Sequence, residues 1–227
     1  QVIISDSAVV SLITCSPGEE VYSKFGHTAI RVKDKTNNVD VVFNYGIFSF
    51  ETEHFYYKFI KGETDYQLGI YETNYFLPEY AERNSMVWEQ VLNLSSAEKK
   101  NLVATLLENY EPQNRVYRYN FVFDNCATRP YHMILNTLDA PVICSYSTDV
   151  TYRDIINQYV GYHNWTRFGI DLVIGAEADR KTGNEGAISF PLYLKDEMAA
   201  SWIQLNSDTI VPLVGNTNTL VEAEPIA

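Results

Sequence analysis

Two segments that lie far apart in the chain constrain its fold more than any other feature. His27 opens the run Thr28 to Val32, which reads as a β-strand and would hold the imidazole rigidly against a neighbouring element. Cys126 follows Asp124 and Asn125 and precedes a helical pattern, so we expect it at a helix N-terminus. A fold that uses both residues must bring the start of the strand to the start of the helix.

A cysteine and a histidine in these settings predict nucleophilic catalysis. Unpaired N–H groups and the helix dipole at a helix N-terminus favour a thiolate over a thiol. An imidazole beside a thiol is the usual base for acyl transfer through a thioester. We therefore expect Cys126 as the nucleophile and His27 as the general base. A lone cysteine is most often a small buried hydrophobic residue, so the prediction depends on the two residues lying together.

A third group is needed to orient the imidazole by accepting from its second ring nitrogen. A polar turn connects the His27 strand to a second strand at 39–45, which predicts a hairpin. Asn44, near the end of that second strand, is the best candidate, and Asp40 is the alternative. The backbone N–H of Cys126 is expected to donate to the oxyanion, and a second donor is not readable from the sequence.

Three neighbours are expected to support Cys126 at the start of a helix that runs to Leu138. These are Asp124, Asn125 and Arg129. Arg129 lies one turn into the helix, where it could bind a substrate phosphate or brace Asp124, and bracing is the favoured interpretation. The sequence contains no cysteine and histidine spacing typical of zinc, so neither a metal nor another cofactor is expected.

The length of 227 residues suits one large domain or a domain with an elaboration. Residues 1–140 are expected to form the catalytic core, and 141–227 a C-terminal elaboration that packs on it and does not fold independently. Ser95 and Glu98 form a predicted capping box, and Thr151 with Asp154 is a second predicted helix cap. A late strand is predicted at 209–214, and the tail after it carries no structural signal.

The composition excludes several classes of function. A formal net charge of −12 argues against nucleic-acid binding and against electrostatic docking on anionic lipid. The sequence has no run of 18 apolar residues that predicts a membrane span. The first residue is glutamine, which favours an exported protein whose signal peptide has been removed. Three cysteines are too few for a disulfide scaffold, and Cys126 is expected to be free.

Both segments resemble a known family when they are taken together with 40–46 and 114–120. The match is to the N-terminal periplasmic domain of the Lnb lipoprotein N-acyltransferases, an exported family of Gram-negative bacteria, and it runs from about Val9 to the region of Leu138. The family's cysteine and histidine fall on Cys126 and His27. The resemblance implies an acyl chain that passes from a phospholipid to Cys126 and then to the N-terminal amine of a lipoprotein. It also implies attachment to the membrane through segments outside this chain.

An early histidine strand followed by a late Asn-Cys helix start is also similar to the permuted papain-like proteins. Papain-like enzymes place the cysteine first, and a circular permutation reverses that order while keeping the geometry. We therefore expect an α+β fold with a circularly permuted papain-like core, of the NlpC and lecithin:retinol acyltransferase type, with helical additions. The aromatic stretch 48–59 could line an acyl groove.

Two alternatives to the acyltransferase stay open. One is an NlpC-type cysteine amidase or peptidase that acts on cell-wall peptides, and the other is a non-catalytic binding domain. A long apolar groove beside Cys126 favours the acyltransferase, and an open polar cleft favours the amidase. A sulfur far from His27 favours the binding domain.

Overall fold

The computed structural model describes residues 4–20, 23–48, 58, 64–144, 148–160 and 165–224. Within these residues the chain is a mixed α+β protein with one seven-stranded antiparallel sheet and one three-stranded sheet. The α+β class is therefore confirmed. Most of the predicted acyl-groove stretch, from 49 to 59, lies outside the described residues apart from Lys58.

The strands, in chain order, are β1 (Val9–Cys15), β2 (His27–Asp34), β3 (Val39–Ile47), β4 (Asp65–Glu72), β5 (Val87–Leu92), β6 (Val116–Arg118), β7 (Val142–Cys144), β8 (Ser201–Gln204), β9 (Ile210–Pro212) and β10 (Val214–Val221). The helices are α1 (Thr73–Glu82), α2 (Ser96–Tyr110), α3 (Thr128–Leu135), α4 (Tyr152–Val160), α5 (Trp165–Ile174), α6 (Gly183–Ala187) and α7 (Pro191–Ala200). A 3₁₀ turn, Gly175–Asp179, follows α5.

The large sheet has helices on both faces, with the strand order β10-β5-β1-β2-β3-β4-β6. Side chains alternate between the two faces of a strand, so β1 supplies both layers of the core. Val10 and Leu12 belong to the larger cluster, with α2, α3 and α7, whereas Ile13 and Cys15 pack with α1. The central strand is apolar along most of its length because neither face meets water.

The hairpin of β2 and β3 confirms the predicted strand–turn–strand segment. Asp34 pairs with Val39 across the turn, and Ala29 pairs with Asn44 further along. The Asp34 carboxylate accepts hydrogen bonds from the backbone N–H groups of Ser5 and Thr36, at 2.6 and 3.0 Å. These bonds hold the pKa of Asp34 well below its usual range and fix the register of the hairpin.

Both predicted helix caps are present. The Ser95 side chain accepts from the Glu98 N–H, and the Glu98 carboxylate accepts from the Ser95 N–H. Thr151 and Asp154 form the same reciprocal pair at the start of α4. Each pair supplies acceptors to N–H groups that have no partner inside the helix, which stabilises the helix by about 1 kcal/mol.

The polar segment after residue 214, which carries no structural signal in the sequence, forms strand β10. Strand β10 pairs with β5 and forms one edge of the large sheet. The predicted late strand is divided, because β9 joins the small sheet and the buried Leu213 separates it from β10. Exposed edge positions tolerate polar side chains such as Asn216 and Asn218, so β10 lacks the apolar alternation that identifies a buried strand.

Candidate active site

His27 is the first residue of β2 and lies opposite Cys15, the last residue of β1. Gly26 precedes it with φ of 79°, and a Cβ there would lie 2.6 Å from the Cys15 carbonyl oxygen. Only glycine adopts this turn without strain. On the side of α1, the Tyr80 ring lies parallel to the imidazole, with 6.5 Å between ring centroids. The turn at Gly26 and the Tyr80 ring together fix the position of the imidazole.

Asn44 contacts the imidazole at Nε2, with a distance of 2.7 Å from Oδ1. The same Oδ1 accepts the Gly46 N–H at 2.8 Å, and an N–H can only donate, so this atom is the amide oxygen and not the nitrogen. An amide oxygen can only accept, so Nε2 carries the proton. The remaining nitrogen, Nδ1, is then unprotonated in the neutral ring, which is the form that a general base requires.

Asp40 does not orient His27, so that alternative is wrong. Its carboxylate binds the Arg31 guanidinium in a bidentate pair, at 2.7 Å for both contacts, and accepts from the Thr73 hydroxyl at 2.6 Å. It pairs with Lys33, six residues from His27, and a strand rises about 3.3 Å per residue, so roughly 20 Å separates the two positions.

Gly46 belongs to the site and was missed from the sequence. A Cβ at this position would lie 2.5 Å from His27 Cε1, 2.9 Å from Asn44 Oδ1 and 3.1 Å from His27 Nε2. Any other residue would push against the hydrogen bond between the imidazole and the amide. The only sequence signal was the position of this glycine two residues after Asn44.

Cys126 lies in the turn that immediately precedes α3. The helix, Thr128–Leu135, is shorter at both ends than the predicted 126–138, and the Asn125 side chain holds the turn in front of it. The Asn125 Oδ1 accepts from the N–H groups of Ala127 and Thr128, at 2.8 and 3.0 Å, and its backbone carbonyl accepts from the Arg129 N–H at 3.2 Å. Cys126 therefore sits where the positive end of the helix is directed.

The Asn125 side chain also connects this turn to the C-terminal part of the chain. Its Nδ2 donates to the carbonyl oxygens of Phe121 and Ser189, at 2.7 and 2.9 Å. Asn125 is buried, so these four bonds satisfy a polar group that would otherwise be costly to bury. The turn that carries Cys126 is thus held from three directions.

Arg129 braces Asp124, as the favoured interpretation of the sequence holds. The two side chains form a bidentate pair, with Nε to Oδ1 at 2.6 Å and Nη2 to Oδ2 at 2.7 Å. The guanidinium also stacks over the Tyr117 ring, 3.7 Å from its centroid. The bidentate bond of Arg129 to Asp124 and its stacking on Tyr117 together fix the loop that leads to Cys126.

Cys126 and His27 line the same cavity, which has a volume of about 60 Å³. The backbone N–H of Thr28, the residue after His27, lies near the Cys126 sulfur and acts to lower the pKa of the thiol. The wall is mainly aromatic and apolar and consists of Phe25, Gly26, Gly46, Phe48, Tyr66, Tyr119, Phe121, Asn125, Ser189, Phe190 and Pro191. The fold therefore brings the predicted nucleophile and base to one small, mainly apolar cavity, and Asn44 contacts the base from outside the residues that line it.

Ser189, Phe190 and Pro191 in that wall had no signal in the sequence. They follow the predicted core by about fifty residues, at the start of α7. Phe190 is buried and contacts the ring of Phe25, with 6.1 Å between centroids. Phe25 in turn packs edge-on against Phe121 at 4.7 Å. These contacts depend on tertiary packing, which no local pattern reveals.

Burial changes the protonation of both reactive groups. Burial raises the pKa of the Cys126 thiol to about 11, although the N–H groups of Thr28 and of Cys126 itself favour the thiolate. Burial lowers the pKa of His27 to about 4, although its hydrogen bond to Asn44 raises this pKa, and the charge of Arg83 lowers it further. At neutral pH the resting pair is a thiol and a neutral imidazole. Desolvation therefore acts against the thiolate that the helix N-terminus favours.

All three cysteines are free, so no disulfide blocks Cys126. Among the described residues, no group of three or more histidine, cysteine and acidic side chains could hold a metal ion. Of the other histidines, His132 lies on α3, and His54 and His163 fall outside the described residues. In the part of the chain that the structure describes, no helix is both long and apolar enough to span a membrane.

A family model described as the Lnb N-terminal periplasmic domain matches residues 2–158. The chain belongs to this family. The Lnb domain is periplasmic, as expected, and its function is lipoprotein-related. His27, Asn44 and Cys126 lie inside the matched residues, whereas the wall at 189–191 lies beyond them. No curated protein and no solved structure matches this Lnb domain significantly.

Proposed function

We propose that this Lnb domain is a cysteine-dependent acyltransferase with a circularly permuted papain-like core. It moves a fatty acyl chain from a phospholipid, through a thioester on Cys126, to the N-terminal amine of a lipoprotein. One observation carries the proposal. His27, held by Asn44 with Nδ1 unprotonated, shares an aromatic cavity with a cysteine at a capped helix start.

In the first half-reaction, the Cys126 sulfur attacks the ester carbonyl of the phospholipid while its proton passes to His27 Nδ1. The resting pair is neutral, so proton transfer accompanies the attack and does not precede it. Asn44 stabilises the imidazolium through the Nε2 proton. The tetrahedral intermediate then breaks its bond to the alcohol oxygen. That oxygen takes the proton from His27 and leaves as a lysophospholipid, and the acyl group stays on sulfur.

Two backbone N–H groups are placed to stabilise the oxyanion of this intermediate. The N–H of Cys126 and the N–H of Thr28 both lie against the sulfur. The carbonyl that bonds to this sulfur would place its oxygen near them as negative charge develops there. Removal of one such donor typically costs about a hundredfold to a thousandfold in rate. Thr28 thus supplies the second donor that the sequence left unassigned.

In the second half-reaction, the α-amine of the lipoprotein attacks the thioester. His27 takes a proton from the attacking nitrogen and returns it to the sulfur as the carbon–sulfur bond breaks. An amide forms, and the Cys126 thiol is regenerated. Water is not a reactant in either step, and the aromatic side chains beside Cys126 would limit its access to the thioester.

The character of the cavity supports an acyl substrate over a cell-wall peptide. Phe25, Phe48, Phe121 and Phe190 contribute rings to its wall, and Tyr66 stacks on Tyr119 at 4.3 Å between centroids. A peptide would need charged or amide partners, and the one amide among the described wall residues, Asn125, is already bonded to backbone groups. A volume of about 60 Å³ suits the reacting carbonyl group, since one water molecule takes about 30 Å³ in the liquid.

The test is the intact mass of the chain after incubation with phospholipid vesicles. We expect an added acyl group on Cys126 that hydroxylamine removes, as it removes thioesters. A synthetic diacylated lipopeptide should then discharge the adduct and gain an amide-linked acyl chain. Cys126→Ala should form no adduct, and it should unfold at nearly the same temperature as the wild-type chain.

A cell-wall peptide assay in parallel separates the alternatives. Cleavage of the peptide without any acyl adduct would support the amidase. Absence of both reactions, in a folded chain whose Cys126 alkylates no faster than a model thiol, would support the binding domain. The His27→Ala variant serves as a second control, because it retains the thiol but removes the base.

A further inference from the structure

Helix α5 exposes three large apolar side chains on one stripe. Trp165, Phe168 and Leu172 are 88%, 61% and 72% exposed, and their spacing of three and then four residues places them on one helix face. The exposed Gly169 lies between them. The rings of Trp165 and Phe168 meet edge to face, with 6.1 Å between centroids. We call these three side chains the α5 stripe.

The α5 stripe is a different face of the helix from the one that packs on the core. The opposite face of α5 already packs inward, where Ile170 contacts the buried cluster that contains Ile155 and Phe190. An apolar face directed at solvent, on a helix whose other face is packed, is typical of an interaction site.

Charges beside the stripe are paired with one another. Arg153 of α4 binds Asp171 at 2.5 Å and Asp179 at 2.6 Å, and Arg167 lies 3.6 Å from Asp171. None of the three stripe residues is charged. The stripe therefore meets its partner through apolar contact, and not through a charged patch.

A chain of contacts connects the stripe to the turn that carries Cys126. Phe123, three residues before Cys126, is 66% exposed, and its ring lies 6.5 Å from that of Tyr152 at the start of α4. The next residue, Arg153, holds Asp171, the neighbour of Leu172. The exposed apolar side chains of α5 and of the Cys126 turn thus flank the same helix end.

We propose that the α5 stripe inserts into the interface of a zwitterionic phospholipid bilayer and brings the Cys126 cavity to the membrane surface. Tryptophan, phenylalanine and leucine on one helix face are typical of helices that lie in this interface. Binding itself goes beyond the proposed function, since it needs neither the thiol nor transfer. Its role in presenting the cavity to lipid rests on that function.

The apolar area of the α5 stripe and the net charge of the chain argue against other binding partners. Large apolar side chains bury about 150–250 Å² each, so the stripe offers roughly 500 Å², against about 800 Å² per partner in a stable protein–protein interface. A second copy of the chain is therefore too weakly held. A formal net charge of −12 opposes an anionic surface, which leaves a zwitterionic one.

The experiment is flotation of the 227-residue chain with vesicles of phosphatidylcholine and phosphatidylethanolamine. The wild-type chain should float with the vesicles, and brominated lipids should quench the fluorescence of Trp165. Burial of one such side chain contributes about 1.5–3 kcal/mol, so the triple variant W165S/F168S/L172S should bind roughly a hundredfold or more weakly. Trp165→Ser alone should lose roughly tenfold by the same measure.

Two controls make the outcome interpretable. L205S/I210S removes two side chains that are more than half exposed elsewhere, beside and within β9, and should bind like the wild type. Cys126→Ala should also bind fully, so a failure of the acyltransferase proposal would leave this result unchanged. The stripe variants should keep the wild-type rate of Cys126 alkylation by a soluble reagent.

Three results would each overturn the inference. The first is a wild-type chain that does not float, and the second is a triple variant that floats as well as the wild type. The third is binding that requires anionic lipid. Self-association that the triple variant abolishes in the absence of vesicles would assign the stripe to a second copy of the chain instead.

Discussion

Replacement of Gly46 by alanine tests the geometry of the site without removing any reactive group. The added methyl would lie 2.5 Å from His27 Cε1 and 2.9 Å from Asn44 Oδ1. Carbon atoms in contact lie about 3.5–4.0 Å apart, so the imidazole, the amide or the strand must move by roughly 1 Å. The Nε2 to Oδ1 distance of 2.7 Å leaves no room for that movement within the hydrogen bond.

We expect Gly46→Ala to fold and to react slowly. Overpacking of this kind costs about 1–3 kcal/mol, which lowers the melting temperature by about 2–4 °C per kcal/mol in a chain of this size. A displacement of about 1 Å at a catalytic group costs about a hundredfold in rate. The rate of thioester formation on Cys126 should therefore fall by about a hundredfold, far more than the small loss of stability explains.

The assay follows the acylation of Cys126 by an activated soluble ester with intact mass, beside a thermal melt. Gly169→Ala is the matched control, because a Cβ at Gly169 meets nothing within 4 Å. Its rate should not change, and it should gain about 0.5–1 kcal/mol, since alanine suits a helix better than glycine. A Gly46→Ala chain that is folded and acylates at the wild-type rate would refute the role given to the His27–Asn44 hydrogen bond.

Three further predictions concern charge and support around the cavity. Asn44→Asp keeps the acceptor but adds a negative charge beside His27, so the acidic limb of the pH–rate profile of acylation should move up from about pH 4; an unmoved limb would contradict the assignment of that limb to His27. Because the folded chain holds His27 neutral down to about pH 4 whereas the unfolded chain protonates it near 6.5, the free energy of unfolding should fall as the pH drops through this window. The free energy of unfolding should fall by at most about 3 kcal/mol, because the half-buried ring keeps part of its hydration. Denaturant titrations should show a smaller fall in His27→Gln. Arg129→Lys loses the fork to Asp124 and the stack on Tyr117, so it should unfold at about 1–3 kcal/mol lower free energy, and a wild-type denaturation midpoint would show that the brace contributes nothing.

The parts of the site that could be predicted from the sequence are those that depend on neighbours in the chain. The β2–β3 hairpin follows from apolar alternation around a polar turn, and once the hairpin is in place Asn44 falls near His27 by register. Asp40 has the same chemistry but the wrong distance along the strand, a distinction that requires the register itself. The helix start just after Cys126 is equally local, since Asn125, three residues ahead of α3, accepts from the Thr128 N–H.

The remaining parts depend on packing between distant segments. The pKa of Cys126 depends on burial by residues as distant in the sequence as Phe190, and this burial acts against the effect of the helix N-terminus. Gly46 matters because of a clash in three dimensions. Strand β10 is recognised only by its partner β5, because an exposed edge strand carries little apolar pattern of its own.

The bond from Asn125 Nδ2 to the Ser189 carbonyl has a practical consequence for anyone who expresses this protein. The family model ends at residue 158, and a fragment cut there would lose the Ser189 acceptor, the Phe190 and Pro191 walls, and β10. Its cap residue would keep a buried donor with no partner, and the β5 edge would be open to pairing with other chains. The stretch of sequence that matches the family is thus shorter than the stretch that lines the Cys126 cavity, and cloning boundaries should extend at least through Val221.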